Sequence, residues 1–267
     1  MRQGRLGVVL VWALTLVLLS VPGRAQETRA AKPELEEKAI AVLKRTAAFL
    51  SQAQRFSVTI DAGFDAVQDS GQKIEFGETR QVVLRRPDHL RIDATKRDGA
   101  KSALLFDGKD MTVFHPQENV YATVARPGSV DEAMAYFVND LGMRLPLAEL
   151  LNSHLDKALL EKVRVANYVE VSSIAGVPCD HLALRGDEAD LQLWVAQGQQ
   201  PLPRRLVITY KHADGRPQFW AQLSDWNLSP EAPDSLFVFT PPKGAAKIAF
   251  SPRQTLQPGA AVSKGGQ

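Results

Sequence analysis

The residues best suited by type to chemistry lie in Leu104–Val124, LLFDGKDMTVFHPQENVYATV, where Asp107, Lys109, Asp110 and His115 follow in close succession. Carboxylates, an amine and an imidazole so near one another could supply a general acid and a general base. The same residues also suit a chain that reverses direction. Asp107-Gly108 or Gly108-Lys109 makes a two-residue hairpin turn, since glycine provides the positive φ that such turns require, and PQEN turns the chain again. In either register Leu104, Phe106, Met111 and Val113 fall on one side with Ala122 and Val124, and Phe114 and Tyr121 pair across strands on the other. The polar groups then occupy the bends, and the turn reading is the stronger of the two.

The remaining candidates are thinner. Cys179 and His181 in PCDHLAL share a strand face, as a nucleophile and its base would. Strand alternation alone produces such neighbours, and a small buried thiol is the simpler reading. His89, His115, His154, His181 and His212 are dispersed, with no His-x-x-x-His or Cys/His cluster to hold a metal. The acids of RGDEAD form a turn before a strand. No nucleophile elbow, phosphate loop or dinucleotide fingerprint occurs. The expectation is therefore no catalytic residue, no metal, no cofactor, and not an enzyme.

Positioning falls to elements that the hydropathy pattern marks out. Residues 1–25 have the form of a secretion signal: Arg2 and Arg5, the apolar run Leu6–Leu19, and a small-residue cleavage site after Ala25. No later stretch approaches the ~20 apolar residues of a membrane span. Cleavage removes Arg2, Arg5 and Arg24 and no acid, so the formal charge of +2 becomes −1. A near-neutral mature chain gives no basis for nucleic-acid binding. Cys179 is the single cysteine, so no intramolecular disulfide can form in an oxidising compartment. A periplasmic or secreted location follows, with stability left to the core.

A helix is expected over Glu34–Gln54, with Leu35, Ala39, Val42, Leu43, Thr46 and Leu50 on one face. The period then changes to two. Phe56, Val58, Ile60, Ala62 and Phe64 alternate with polar residues, as do Ile74, Phe76, Val82 and Leu84, and RPDHLRID begins a further strand. GSVDEAMAYFVNDLG and LPLAELLNSHLDKALLEK read as helical, the first capped by Ser129 or Asp131 and ended by Gly142. Strands resume at KVRVANYVEV and continue to SLFVFTPP; residues 251–267 read as a disordered tail. The fold class is α+β: a strongly curved antiparallel sheet, an incomplete barrel, with an N-terminal helix and a helical insertion forming a lid or plug. It occupies a single domain, residues 26–250. Its aliphatic face offers Phe56, Ile60, Phe64, Ile74, Phe76, Phe106 and Val113 as candidate cavity residues. Its other face offers Trp194, Trp220 and Trp226 as a candidate partner surface.

With these segments in order, the chain resembles the LolA/LolB-like exported lipid-handling proteins, and most of all a family of predicted periplasmic proteins of unassigned function within that fold. Three stretches carry the resemblance, VVLRRPDHLRID, LLFDGKDMTVFHPQENVYATV and FVFTPPKGAAKI, and it spans about residues 35 to 250. It implies a helix-closed hydrophobic cavity that shelters a lipid or lipoprotein acyl chain, each buried CH₂ contributing ~0.8 kcal/mol. The helices around Ala133–Val138 and Leu145–Leu155 would be the lid. The alternative it implies is a sensor or interaction module whose partner is an envelope protein.

Overall fold

The computed structural model describes residues 34–140 and 147–250. The signal segment with Ala25, the residue-251–267 tail and Gly142 lie outside them. Two expected helices are trimmed or divided. Glu34–Leu35 forms a two-residue strand, β1, and helix α1 runs Glu37–Gln52, burying Ala39, Val42, Leu43, Thr46, Ala47 and Leu50. Leu35, expected on that face, is left about half exposed. Glu36 explains the later start: its N–H donates to Ala166 O, and its carboxylate accepts from Tyr168 N–H.

The chain then meanders through β2 (Arg55–Val67), β3 (Lys73–Arg85), β4 (His89–Lys96), β5 (Lys101–Phe106), β6 (Asp110–His115) and β7 (Val120–Ala125). A helical insertion follows. Helix α2 (Val130–Asn139) opens on a complete capping box between Ser129 and Glu132. A 3₁₀ turn covers Ala148–Leu151, and α3 spans Leu155–Lys162. The helix expected through LPLAELLNSHLDKALLEK is thus broken in two. Asn152 Oδ1 takes the His154 N–H, and the Ser153 N–H and hydroxyl both turn to Asp131, so local side-chain bonds replace the helical ladder.

The second meander is β8 (Val165–Ile174), β9 (Val177–Arg185), β10 (Ala189–Ala196), β11 (Pro203–Tyr210) and β12 (Gln218–Asn227), with β13 (Ala246–Lys247) near the end. All join one curved sheet in the order β1-β8-β9-β10-β11-β12-β2-β3-β4-β5-β6-β7-β13. The first strand of one meander therefore lies beside the last of the other. β1 and β13 pair in parallel at opposite edges and leave the barrel open. SLFVFTPP does not join the ladder. Pro233, Pro241 and Pro242 interrupt it, and Asp234–Leu236 is a 3₁₀ turn.

The helices fill the inner, apolar face. Leu43, Phe56, Leu84, Phe106, Met111, Val130, Leu182 and Leu223 are each at most 1% exposed and belong to one core. Burying side chains of this size contributes about 1.5–3 kcal/mol each, which is how the chain holds together without a disulfide.

Candidate functional site

The residues first suspected of chemistry are pulled apart. Asp107 Oδ1 accepts the N–H groups of Lys109 and Asp110, and Phe106 pairs with Met111, which selects Gly108-Lys109 as the turn. Gly108 has φ 87°, which only glycine adopts without strain. His115 lies at the far end of β6, a strand of six residues, hence about 17 Å from the turn at 3.4 Å per residue. Cys179 is fully buried; its thiol donates to Val177 O, and burial pushes its pKa up, opposite to what a nucleophile needs. His181 stacks on Trp194 at 4.1 Å, with its Nε2 at Gln192 Oε1. Ser153, His154 and Asp131 do meet, but Ser153 hydrogen-bonds Asp131 directly instead of through the imidazole. That order is not the one in which histidine takes a serine proton. Among the described residues no three His, Cys, Asp or Glu converge as metal ligands.

What the fold does build is an apolar crevice. Its floor is the inner face of β2, β3, β4 and β12, through Phe56, Val58, Ile60, Val82, Ile92 and Leu223. Its roof is Leu147–Leu151, and Trp226 closes one side. The cavity volume is about 30 Å³. That is room for one water and a tenth of the ~300 Å³ at which ligand pockets begin. In this conformation the roof is shut.

Arg86 holds it shut. Its Nη1 donates to Leu151 O at 2.8 Å and its Nε to Ala53 O at 3.2 Å, and Asp131 lies 3.7 Å away. The guanidinium is 8% exposed, and burial lowers its pKa against the opposing pull of Asp131. One residue just past the end of β3 thus ties that strand end to the end of α1, to the roof and to α2. The alternation within IEFGETRQVVLRR passes from Phe76 to Val82, and the two positions between them on that face are Glu78 and Arg80. Among the described residues, Arg80 is the only charged one lining the crevice. Its signal in the sequence was this polar gap in an apolar stripe.

The other expected cavity residues divide. Phe106 is fully buried and Val113 half-buried in packed core. Phe64 and Phe76 stack at 6.0 Å at the open end of the same face, where Phe76 and Ile74 are about two-fifths exposed. The tryptophans divide as well. Trp194 and Trp220 share the outer face, each within 6 Å of the Arg205 guanidinium between them. Trp220 lies flat over Gly63, where a Cβ would come within 2.6 Å of the ring, and donates to Glu75. Trp226 does not join them. A register shift after Ser224, with Asp225 at φ 51°, turns it inward, where its ring packs tilted against Phe56 at 5.4 Å and its Nε1 donates to Pro203 O.

The three stretches of the sequence resemblance meet on the outer face of the first meander. Arg85 and Arg91 donate to Ala232 O and Leu236 O, and Phe237 packs under His89 at 5.0 Å. Phe239 rests on the cross-strand pair of Phe114 and Tyr121, at 5.3 and 5.1 Å.

Residues 39–251 match the model of a family described as predicted periplasmic proteins (DUF2092). No curated protein matches the chain. Among solved structures it is similar to LprF from Mycobacterium bovis (14% identity, 81% of this chain and all of that one, TM-score 0.47). It is similar also to the lipoprotein LppX of Mycobacterium tuberculosis (14%, 73% and 97%, 0.46). A LolA superfamily protein of Nitrosomonas europaea matches at 15% identity over 75% of this chain and 97% of that one, with a TM-score of 0.37.

Proposed function

Because the chain belongs to that family of predicted periplasmic proteins, we propose that it is an exported, non-enzymatic binding protein that shelters a lipid or lipoprotein acyl chain under its Leu147–Leu151 roof. The observation that carries this reading is the crevice: a nearly all-apolar floor under a short cover held by Leu147, Leu150, Leu151 and the Arg86 bond to Leu151 O, not by a helix-length apolar stripe. The shut state holds about 30 Å³, so binding requires the roof to lift. A chain of fourteen buried CH₂ groups would gain roughly 11 kcal/mol over water at ~0.8 each, which offsets its withdrawal from a membrane and leaves the opening of the roof to be met by other contacts.

Native mass spectrometry of protein purified from its own envelope, followed by lipid extraction, tests this. A stoichiometric lipid is expected. Ala148→Phe, which overfills the space under the roof, should cut uptake of a fluorescent fatty acid at least ten-fold while circular dichroism shows the fold retained. Protein that is reproducibly empty and takes up nothing would sink the reading. If that empty protein captured an envelope protein, and Trp194→Ser with Trp220→Ser abolished capture, the Trp194–Arg205–Trp220 row would favour the sensor or interaction module instead.

A further inference from the structure

We propose that the crevice selects amphiphiles with an anionic head, and that Arg80 binds the carboxylate or phosphate; this rests on the lipid-binding reading above. Along the inner face of β3 the side chains run Leu84, Val82, Arg80, Glu78, Phe76, Ile74. Arg80 stands between Ile60 of β2 and Ala94 of β4, neither of which offers a side-chain acceptor. Its Nε donates to Glu78 Oε1 at 2.7 Å, and its Nη2 reaches the same oxygen. Both side chains are less than a fifth exposed.

An ion pair two residues apart on one strand joins no two elements of the fold. Burying it has a desolvation cost that apolar residues at 78 and 80 would avoid. The pair therefore does little for the fold that Val or Leu could not. Lys96 lies directly opposite Glu78 on β4, with Cβ atoms about 5 Å apart at that pairing. Register puts Glu78, Arg80 and Lys96 on the inner face, so among the described residues of β2–β4 this end of the floor carries two cations and one anion. An arriving anion takes the Arg80 guanidinium in a charge-assisted pair while Glu78 turns to Lys96. The tail lies on Ile60, Val82, Ile92 and Leu223 under the roof, and the exposed Phe64–Phe76 stack marks the open end beyond the head.

The test uses the uncharged fluorophore N-phenyl-1-naphthylamine on the full mature chain, displaced by palmitate, lysophosphatidylglycerol or uncharged monopalmitoylglycerol. At least one anionic competitor should displace it about ten-fold better than the uncharged one, and palmitate against lysophosphatidylglycerol separates carboxylate from phosphate. Arg80→Met should shrink that preference to about two-fold and leave monopalmitoylglycerol unchanged. Glu78→Gln, which keeps size and fold, should strengthen the anionic competitors several-fold and decides the matter if Arg80→Met does not fold. Equal displacement by all three, or a preference that survives Arg80→Met, overturns the head-group proposal and leaves the crevice reading standing. A fluorophore that neither binds nor is displaced overturns both.

Discussion

Two patches of the inner face, one on each meander, show the same alternation, yet one is filled and the other is only covered. Under α1, on β8–β11, Ala166, Leu182, Leu184, Leu193, Val195 and Leu206 are all at most 5% exposed. The buried acid there, Asp180, is met by Tyr168, Gln197 and Arg45. On β2–β4, Phe56, Val58, Ile60 and Val82 under Leu147–Leu151 are also at most 5% exposed, but Ile92 is half-buried, a charge pair interrupts the stripe, and beyond the roof Phe64 is half-buried and Phe76 and Ile74 reach solvent. A sixteen-residue helix covers the first surface and a four-residue 3₁₀ turn the second. What separates core from site is therefore the cover, because a short segment forfeits little buried area when it leaves.

Truncations should divide along that line. Leu182→Ala removes atoms from a fully packed site and is expected to cost about 2–5 kcal/mol. In a chain of this size that lowers the melting temperature by roughly 5–15 °C. Ile92→Ala, on the crevice floor, should cost no more than about 1 kcal/mol, since its side chain already borders open space. Equal losses in thermal or urea unfolding would break the comparison.

Each half also has an arginine–aspartate contact between helix and sheet. Arg86 is 8% exposed and spans three elements, whereas Arg45 is half exposed and lies 3.4 Å from an Asp180 that keeps two other partners. Arg86→Leu should cost about 2–3 kcal/mol and strip amide-exchange protection from residues 147–155 before the rest of the chain. Arg45→Met should cost at most about 1 kcal/mol and leave exchange unchanged. The prediction fails if protection of the roof survives loss of Arg86.

Much of this was legible in the sequence. The period-two pattern placed Phe56, Ile60, Phe106 and Met111 on one face, because alternation is a property of each strand alone. The family stretches were legible too, but their meaning was not. Phe237 and Phe239 read as strand residues, and only tertiary contact shows them capping the outer face. Trp226 was misplaced by one bulge, which reverses parity without any glycine or proline to announce it. The crevice was hidden for a related reason. Phe76 and Phe56 have the same pattern, and which one is covered depends on where a segment some seventy residues later comes to rest.

Cys179 tests the filled half by its smallest expected effect. Burial raises its pKa above the unfolded value, so the folded state keeps its proton to higher pH than the unfolded chain does. The unfolded state then binds fewer protons, and stability falls as pH rises from about 8.5 toward the folded pKa, by at most about 1.4 kcal/mol per pH unit. Cys179→Ala should flatten that alkaline slope. The thiol is fully buried in the second meander, on the face it shares with His181 and Trp194, so a thiol reagent should label it only when β8, β9 and β10 part. A cysteine placed at Ala148, under the roof, should label far faster through local opening. If the two sites label at one rate, the roof opens only with the fold, and the contrast between a filled half and a covered half is lost.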